Sequence, residues 1–275
     1  MKNRRDLTAR FQAVIRAARL PLPRGKTRLG QAKHLGSSAG RVFANLVFPP
    51  RCAWCAAEAD EWPGGIMLCD ECRRLLAGPA VIRCSRCGAA LAVVGGACAD
   101  CHGRARHFDG VVPLGTYAAA LRECVLRLKR AGHESLATVM GQLLFAEHQQ
   151  SLAAARADAI LPVPMHWLRR VSRRANSAEL LAATLARKLD LPLLHRPLRR
   201  IRNTRQQGPM LRTERLHNVR GAFRLDSEIQ VTGKRLLLVD DVLTTGATCD
   251  EIAKILKRAG AAAVVVAVLA RSEAR

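Results

Sequence analysis

The chain has 275 residues, of which 49% are apolar and only 4% aromatic, so a buried core must rest mainly on Leu, Val, Ile and Ala. This length can hold one full-sized domain and a smaller one. No run approaches the ~20 apolar residues of a membrane-spanning helix, and we therefore expect no membrane span. The net charge of +23 favours a polyanionic partner, either nucleic acid or an anionic membrane face, although an arginine-rich but merely soluble surface has the same composition.

The N-terminal segment, residues 1–46, is basic, and Asp6 is its one carboxylate. Prolines and glycines interrupt its weak helical periodicity, so we predict a flexible arm. No uninterrupted apolar segment of the signal-peptide kind follows the basic start, which favours the cytoplasm. The Gly25-Lys26-Thr27 triplet is not a Walker phosphate loop, because Leu20 occupies the position of its first glycine.

Eight of the ten cysteines fall into C-x-x-C pairs within residues 47–107. In chain order the pairs are Cys52 with Cys55, Cys69 with Cys72, Cys84 with Cys87, and Cys98 with Cys101. Each pair places two thiolates on one side of a tight turn, and two pairs complete a tetrahedral Zn²⁺ site with no open position. We therefore predict a double zinc ribbon with two structural zinc ions. Two successive ribbons are the simplest pairing, and an interleaved cross-brace is the alternative.

Other uses of the cysteines fit the sequence less well. Residues 98–102 match a haem attachment motif, but that chemistry requires export and leaves the other pairs unexplained. A redox disulfide needs fewer pairs than the chain carries. Cys124 and Cys249 lie in helical segments and are predicted to be buried apolar residues.

From residue 108 onward, apolar runs of strand length alternate with helical segments. The predicted strands are residues 108–117, 159–163, 235–241 and 263–269. The predicted helices are residues 118–130, 134–148, 175–189 and 248–258. Residues 196–220 are arginine-rich and turn-like. This alternation predicts an α/β domain over residues 108–275, with a mostly parallel sheet covered on both faces.

One loop carries the clearest functional signal. The apolar run from Arg235 to Val239 ends in Asp240 and Asp241, and a buried parallel strand delivers this end to a ligand crevice. The segment Thr244-Thr245-Gly246-Ala247-Thr248 then opens a helix, where backbone amides, the helix N-terminus and threonine hydroxyls can converge on a phosphate. Two carboxylates would repel phosphate alone, so they indicate sugar hydroxyls or a Mg²⁺-chelated diphosphate.

This segment resembles the signature of the type I phosphoribosyltransferases. The resemblance implies that Asp240 and Asp241 contact the ribose hydroxyls of 5-phosphoribosyl-1-pyrophosphate (PRPP), and that the segment Thr244 to Thr248 surrounds its 5-phosphate. An acidic turn before an ordinary helix is the alternative. Many members with transfer activity carry an acid where this chain has Thr244, which leaves catalysis open.

The chain from Val47 onward resembles the ComF family of competence-related proteins, which join a cysteine ribbon to a phosphoribosyltransferase-like domain. The matching parts are residues 46–52, 117, 126–129, 162–166, 173, 176, 178–182, 204, 207, 215 and 218–223. They cover about residues 46–270 in close order and spacing. The chain departs from the family at Arg174, Ala175 and Ser177, where members usually carry Gly, Phe and Gln.

The resemblance also implies roles for individual side chains. Lys129, Arg173 and Arg215 are candidates for the diphosphate side of PRPP, with a solvated surface charge as the alternative for each. His166 and Asn176 are interpreted as structural, holding a turn or a cap. No convincing general base is present.

Three hypotheses on function result. The favoured one is a cytoplasmic competence and DNA-uptake factor that binds single-stranded DNA and Mg²⁺-PRPP, with DNA-processing proteins as further partners. The second is an active phosphoribosyltransferase with a nucleobase or another amine as acceptor, and the third is a zinc-ribbon scaffold with a vestigial pocket. The arginines that support DNA binding are Arg196, Arg199, Arg200, Arg202, Arg205, Arg212, Arg215 and Arg220.

Overall fold

The computed structural model describes residues 50–58, 62–93, 96–165, 176–195, 197–202, 214 and 218–273. The predicted N-terminal arm lies outside these residues. The other predicted positions outside them are His166, Arg173, Arg174, Ala175, Arg196, Thr204, Arg205, Gln207, Arg212 and Arg215.

The strands form one parallel sheet and one short antiparallel pair. Across the described residues, in chain order, they are β1 (Gly110–Thr116), β2 (Ala159–Pro162), β3 (Leu198–Arg200), β4 (Phe223–Leu225), β5 (Arg235–Leu243) and β6 (Ala263–Arg271). The main sheet has the order β1-β6-β5-β2, and every neighbouring pair in it is parallel. The predicted parallel sheet is confirmed. β3 lies within residues 196–220, which the sequence predicts to be turn-like, and it pairs antiparallel with β4, which follows that segment.

The described residues also form five α-helices. They are α1 (Asp70–Ala77), α2 (Ala119–Leu128), α3 (Glu134–Ala154), α4 (Ser177–Leu189) and α5 (Ala247–Arg258), and a 3₁₀ turn spans Pro63–Gly65. The last four helices confirm predicted helices. α3 runs past its predicted end at residue 148, where His148 departs from helical geometry (φ −128°, ψ 26°). α1 begins directly after Cys69, contains Cys72 and was not predicted.

The core lies on both faces of the main sheet. Along β5, Leu237 and Val239 join an apolar cluster that includes side chains of α1 to α4. Leu236 and Leu238 join a second cluster with α5, β3 and β4 on the opposite face. Successive side chains of a strand point to opposite faces, so a continuous apolar run is what a strand covered on both faces requires.

The two neighbours of β5 end at different points along it. The pairing of β2 with β5 ends at Val239, whereas β6 remains paired with β5 as far as Leu243. Among the described residues, Asp240 and Asp241 therefore have a strand partner on one side of β5 only. The carboxyl end of a parallel strand, next to such a gap, is where ligands of α/β sheets commonly bind.

One close helix contact yields a test of the packing. A Cβ atom added to Gly141 of α3 would lie 2.9 Å from Cβ of Thr184 in α4. We expect Gly141→Ala to lower the free energy of unfolding by ~1–3 kcal/mol through overpacking, although alanine is the better helix former. Ala146→Gly, at an exposed position of α3, is the inverse control and should destabilise by ~1 kcal/mol through propensity alone. Urea unfolding measures both, and a more stable Gly141→Ala protein would contradict the packing.

Candidate ligand site and metal centres

The cysteines gather into two separate clusters. The first cysteine cluster comprises Cys52, Cys55, Cys69 and Cys72, and the second comprises Cys84, Cys87, Cys98 and Cys101. Within each cluster all Sγ atoms lie within 4.8 Å of one another. This arrangement gives two successive ribbons and not the interleaved alternative.

The sulfur geometry fits structural zinc. The Sγ separations include 3.9 Å for Cys55–Cys69, 3.9 Å for Cys84–Cys101 and 3.6 Å for Cys87–Cys98. A tetrahedral site with Zn–S bonds of about 2.3 Å has S···S edges of about 3.8 Å. Four thiolates fill such a site, so a zinc ion there would hold the ribbon together and would leave no position for a substrate.

The first ribbon is fastened to the helices of the main domain. The guanidinium of Arg127 stacks over the Trp54 ring, 4.0 Å from its centroid, and its Nη1 donates to the Trp54 carbonyl at 3.2 Å. Arg73 of α1 donates through Nε and Nη2 to one carboxylate oxygen of Glu147, at 3.0 and 2.9 Å. The first ribbon therefore packs beside α2 and α3.

The second ribbon instead contacts the edge strand β1 and the loop after β5. The backbone N–H of Val111 donates to the Ser85 carbonyl at 3.2 Å. Downstream of the cluster, Nη1 of Arg106 donates to the Thr245 carbonyl at 2.8 Å. The backbone N–H of His107 donates to Asp250 of α5 at 2.7 Å.

The two remaining cysteines are buried, as predicted. Burial raises the pKa of the Cys124 thiol to about 12 and raises that of Cys249 well above its usual range, so both stay protonated at neutral pH. They behave as small apolar side chains.

The loop between β5 and α5, residues 244–246, makes a sharp turn into the helix. Gly246 has φ +78°, a left-handed conformation that a residue with a Cβ adopts at a cost. The Thr245 hydroxyl accepts from the Ala247 amide at 3.3 Å, and the Asp250 amide donates to the Gly246 carbonyl at 2.8 Å. The first amides of a helix have no acceptor within the helix, so this end offers donors and partial positive charge to an anion.

Asp240 and Asp241 lie near the end of β5, just before this loop, and Lys129 approaches one of them. Nζ of Lys129, at the end of α2, is 3.7 Å from Oδ2 of Asp241. The Ser177 hydroxyl donates to the same oxygen at 3.4 Å. Both distances are longer than the ~2.7–2.9 Å of a charge-assisted hydrogen bond, so neither of these two described neighbours holds Asp241 tightly. Ser177, where the chain departs from the family pattern, therefore contacts Asp241. The sequence did not predict this contact.

Asp240 is the electrostatically unfavourable member of the pair. Burial raises the pKa of its carboxyl to about 8, and the adjacent charge of Asp241 contributes in the same direction. The backbone N–H of Asp241 donates to Asp240 Oδ1 at 2.9 Å and offsets part of this effect. An acid kept in such surroundings is a candidate for a functional group, since it gains little for the fold.

The structure brings together only part of the predicted site. Asp240, Asp241, Lys129 and the loop residues Thr244 to Thr248 share one end of the sheet, whereas Arg173 and Arg215 lie outside the described residues. Asn176 is the N-cap of α4, accepting from the Ala178 amide at 3.3 Å, in agreement with its predicted capping role.

Two arginines behind the loop were missed. They are Arg106, already described, and Arg271 at the end of β6, which donates to the Thr244 carbonyl at 2.6 Å. Arg271 could have been noticed in the sequence as the one charged residue at the end of an otherwise apolar strand. No local pattern in the sequence marks Arg106.

Comparisons with known proteins agree with this architecture. A double zinc ribbon domain matches residues 43–102, and a phosphoribosyl transferase domain matches residues 174–275. Competence protein F of Haemophilus influenzae is 30% identical over 230 residues, which are 81% of this chain and 97% of that protein. The chain belongs to the ComF family. This ComF-family chain is also 33% identical to DNA utilization protein YhgH of Salmonella typhimurium and 32% identical to that of Escherichia coli K12, in each case over 74% of this chain and 90% of the relative.

In the part of the chain that the structure describes, no helix combines the length and the apolar character needed to cross a bilayer.

The raised pKa of Asp240 predicts a pH-dependent penalty on stability. Its carboxyl ionises near its usual value of 3.8 in the unfolded chain but only near 8 in the folded one, so its contribution to stability is lost as pH rises between these values. Asp240→Asn should therefore gain stability over wild type between about pH 5 and pH 8, by roughly 2 kcal/mol after allowance for partial solvent screening.

Thermal or urea unfolding of wild type and Asp240→Asn at about pH 5 and pH 8 measures this difference in stability. Asp190→Asn, at an exposed carboxylate in the left-handed conformation that asparagine tolerates, is the matched control. An equal change in both variants would show that the burial of Asp240 is not its cause.

Proposed function

We propose that this ComF-family protein binds Mg²⁺-PRPP at the β5–α5 loop and handles single-stranded DNA in the cytoplasm. The observation that carries the ligand proposal is the placement of Asp240 and Asp241 beside a glycine-containing turn that opens a helix. Amide donors and a pair of acids on one sheet edge suit a ligand that carries both phosphate and vicinal hydroxyls.

The loop, the two carboxylates and Lys129 each suit a different chemical group of PRPP. The amides and threonine hydroxyls of the loop suit the 5-phosphate, because they donate to an anion without adding a mobile charge. The carboxylates of Asp240 and Asp241 suit the ribose hydroxyls, which donate to them. Lys129 is a cation next to Asp241 and suits the diphosphate, together with Mg²⁺, which typically binds phosphate oxygens and few protein ligands.

Calorimetric titration with PRPP and Mg²⁺ tests the pocket. We expect saturable binding by wild type and at least ~10-fold weaker binding by Asp241→Asn, since a bound hydroxyl would lose its charged acceptor, worth roughly 1.4 kcal/mol or more. Asp190→Asn, the same chemical change at an exposed site, should bind as wild type does. Equal heats for wild type and Asp241→Asn would remove the pocket from the proposal.

The match to a phosphoribosyl transferase domain makes catalysis the second candidate function. Thr244 stands where many active members carry an acid, and we therefore favour binding over transfer. Incubation with PRPP, Mg²⁺ and a panel of nucleobases separates the two, because transfer releases pyrophosphate and binding does not.

The DNA proposal is supported by charge at the β3–β4 end of the molecule. Arg199 and Arg224 lie directly opposite each other in the antiparallel pair, and both are exposed. Like charges at opposed positions are destabilising, and the surface ion pair of Arg199 with Asp226, at 3.3 Å, is worth little, so the placement of the two arginines suits an anionic partner. Arg202 and Arg220 are also exposed and adjacent, with Nη1 of Arg202 donating to the Arg220 carbonyl at 3.3 Å.

Oligonucleotide binding measured across salt tests the DNA proposal. For single strands the slope of log K against log salt is about −0.7 per neutralised phosphate, so Arg199→Ala with Arg224→Ala should reduce its magnitude by about 1.4. Arg122→Ala with Lys188→Ala removes the same charge from exposed positions on α2 and α4 and should leave the slope unchanged. A wild-type slope near zero, or equal slopes in both double variants, would contradict DNA binding at this surface.

A further inference from the structure

Arg271 joins the β5–α5 loop to the second cysteine cluster. Its side chain is buried, with 1% of its surface exposed. Nη1 donates to the carbonyls of Leu243 and Thr244, at 3.3 and 2.6 Å. Nε donates to the Cys87 carbonyl at 3.0 Å, and Nη2 donates to Oδ2 of Asp100 at 2.5 Å. One guanidinium thus contacts the loop with one nitrogen and the ribbon with the other two.

The contacts of Arg271 and Arg106 orient the peptides of the loop. The successive carbonyls of Leu243, Thr244 and Thr245 all accept from these two guanidinium groups. In a trans peptide the C=O and the following N–H point in opposite directions. The N–H groups of the next three residues, up to Gly246, must therefore point away from the arginines.

Because Gly246 has no side chain, the loop can pack closely against Arg106 and Phe108. A Cβ atom added there would lie 3.0 Å from Nη1 of Arg106 and 3.4 Å from the Phe108 ring. The side of the turn that faces the arginines is therefore filled by protein, and the amides face its other side.

We propose that Arg271 is a positioning residue that presents the loop amides to phosphate by anchoring the loop carbonyls to the second cysteine cluster. Metal in that cluster then helps to set the affinity for the ligand, although it lies outside the pocket. The identity of the ligand rests on the proposed function, but the order of the loop can be measured without any ligand.

The anchor depends on metal because the acceptors of Nε and Nη2 belong to the cluster. Asp100 lies between Cys98 and Cys101, and Cys87 itself provides both a thiolate and the accepting carbonyl. Without a cation the thiolates would repel one another or take up protons, and the knuckles would lose the geometry that holds these acceptors. A buried guanidinium that loses its acceptors is strongly unfavourable, so we expect it to turn toward solvent and release the loop.

Amide hydrogen exchange of the full-length, ligand-free protein tests the anchor. Arg271→Lys keeps the charge but loses the forked donors, and Asp100→Asn keeps the shape but loses the charged acceptor. Each should speed exchange in residues 243–249 by about 10-fold or more, with α3 unchanged. Arg73→Lys, which weakens the corresponding arginine contact of the first ribbon with Glu147, is the matched control and should leave the loop as in wild type.

Metal removal tests the same link from the other end. Cys98→Ser should lower the zinc content by about one equivalent and speed exchange in the same loop peptide. In PRPP titrations Arg271→Lys should raise the Kd about 10-fold or more, whereas Arg73→Lys should not.

The outcomes separate the inference from the proposed function. Unchanged loop exchange in both Arg271→Lys and Asp100→Asn would overturn the anchor. If Arg271→Lys also exposes α3, it has lost its fold, and Asp100→Asn alone then decides. If wild type gives no heat with PRPP, the ligand proposal fails, and the exchange comparison still decides whether Arg271 orders the loop.

Discussion

The buried guanidinium of Arg271 is the interaction on which the ligand end of the molecule depends. Moving a charge out of water costs several kcal/mol, which must be offset by acceptors held in place around it. Those acceptors come from the second ribbon, the end of β5, the loop that follows it and the carbonyl of Ser272. None of these parts can reach its observed arrangement without the others, so the ribbon and the phosphoribosyltransferase-like domain pack as one unit at this point.

The paired carboxylates add a second unfavourable element at the same end of the sheet. Asp240 carries a raised pKa because it is buried next to another acid, and Lys129 approaches Asp241 only at 3.7 Å. A fold selected for stability alone would gain from an amide or an apolar side chain there. The cost is understandable if a ligand supplies hydroxyl donors or a metal ion, because the acids would then be satisfied in the complex.

Sequence reasoning located the elements better than the contacts between them. The continuous apolar run of β5 and the glycine before α5 are local signals, and they identified the parallel sheet and the loop correctly. α1 was missed because its eight residues begin Asp-Glu-Cys-Arg-Arg and carry few apolar side chains. β3 and β4 were missed because each has only three residues, of which one is buried, and arginines make up half of the pair. The family resemblance assigned Lys129 to the diphosphate side of the ligand but did not predict its approach to Asp241. The contacts of Arg106 and Arg271 join residues too distant in sequence for any periodicity to reveal.

The two ribbons differ in what supports them, and this difference bears on how the metals act. Ile66, Leu68 and Leu76 of the first ribbon belong to the main apolar cluster, so packing as well as metal holds it. Among the described residues between 81 and 104, the buried apolar side chains are Cys87 and Ala89, and neither belongs to the large clusters. The second ribbon must therefore take most of its order from metal, and it is this ribbon that Arg271 connects to the loop. If apolar packing also held this ribbon, loss of its metal would disturb the β5–α5 loop less.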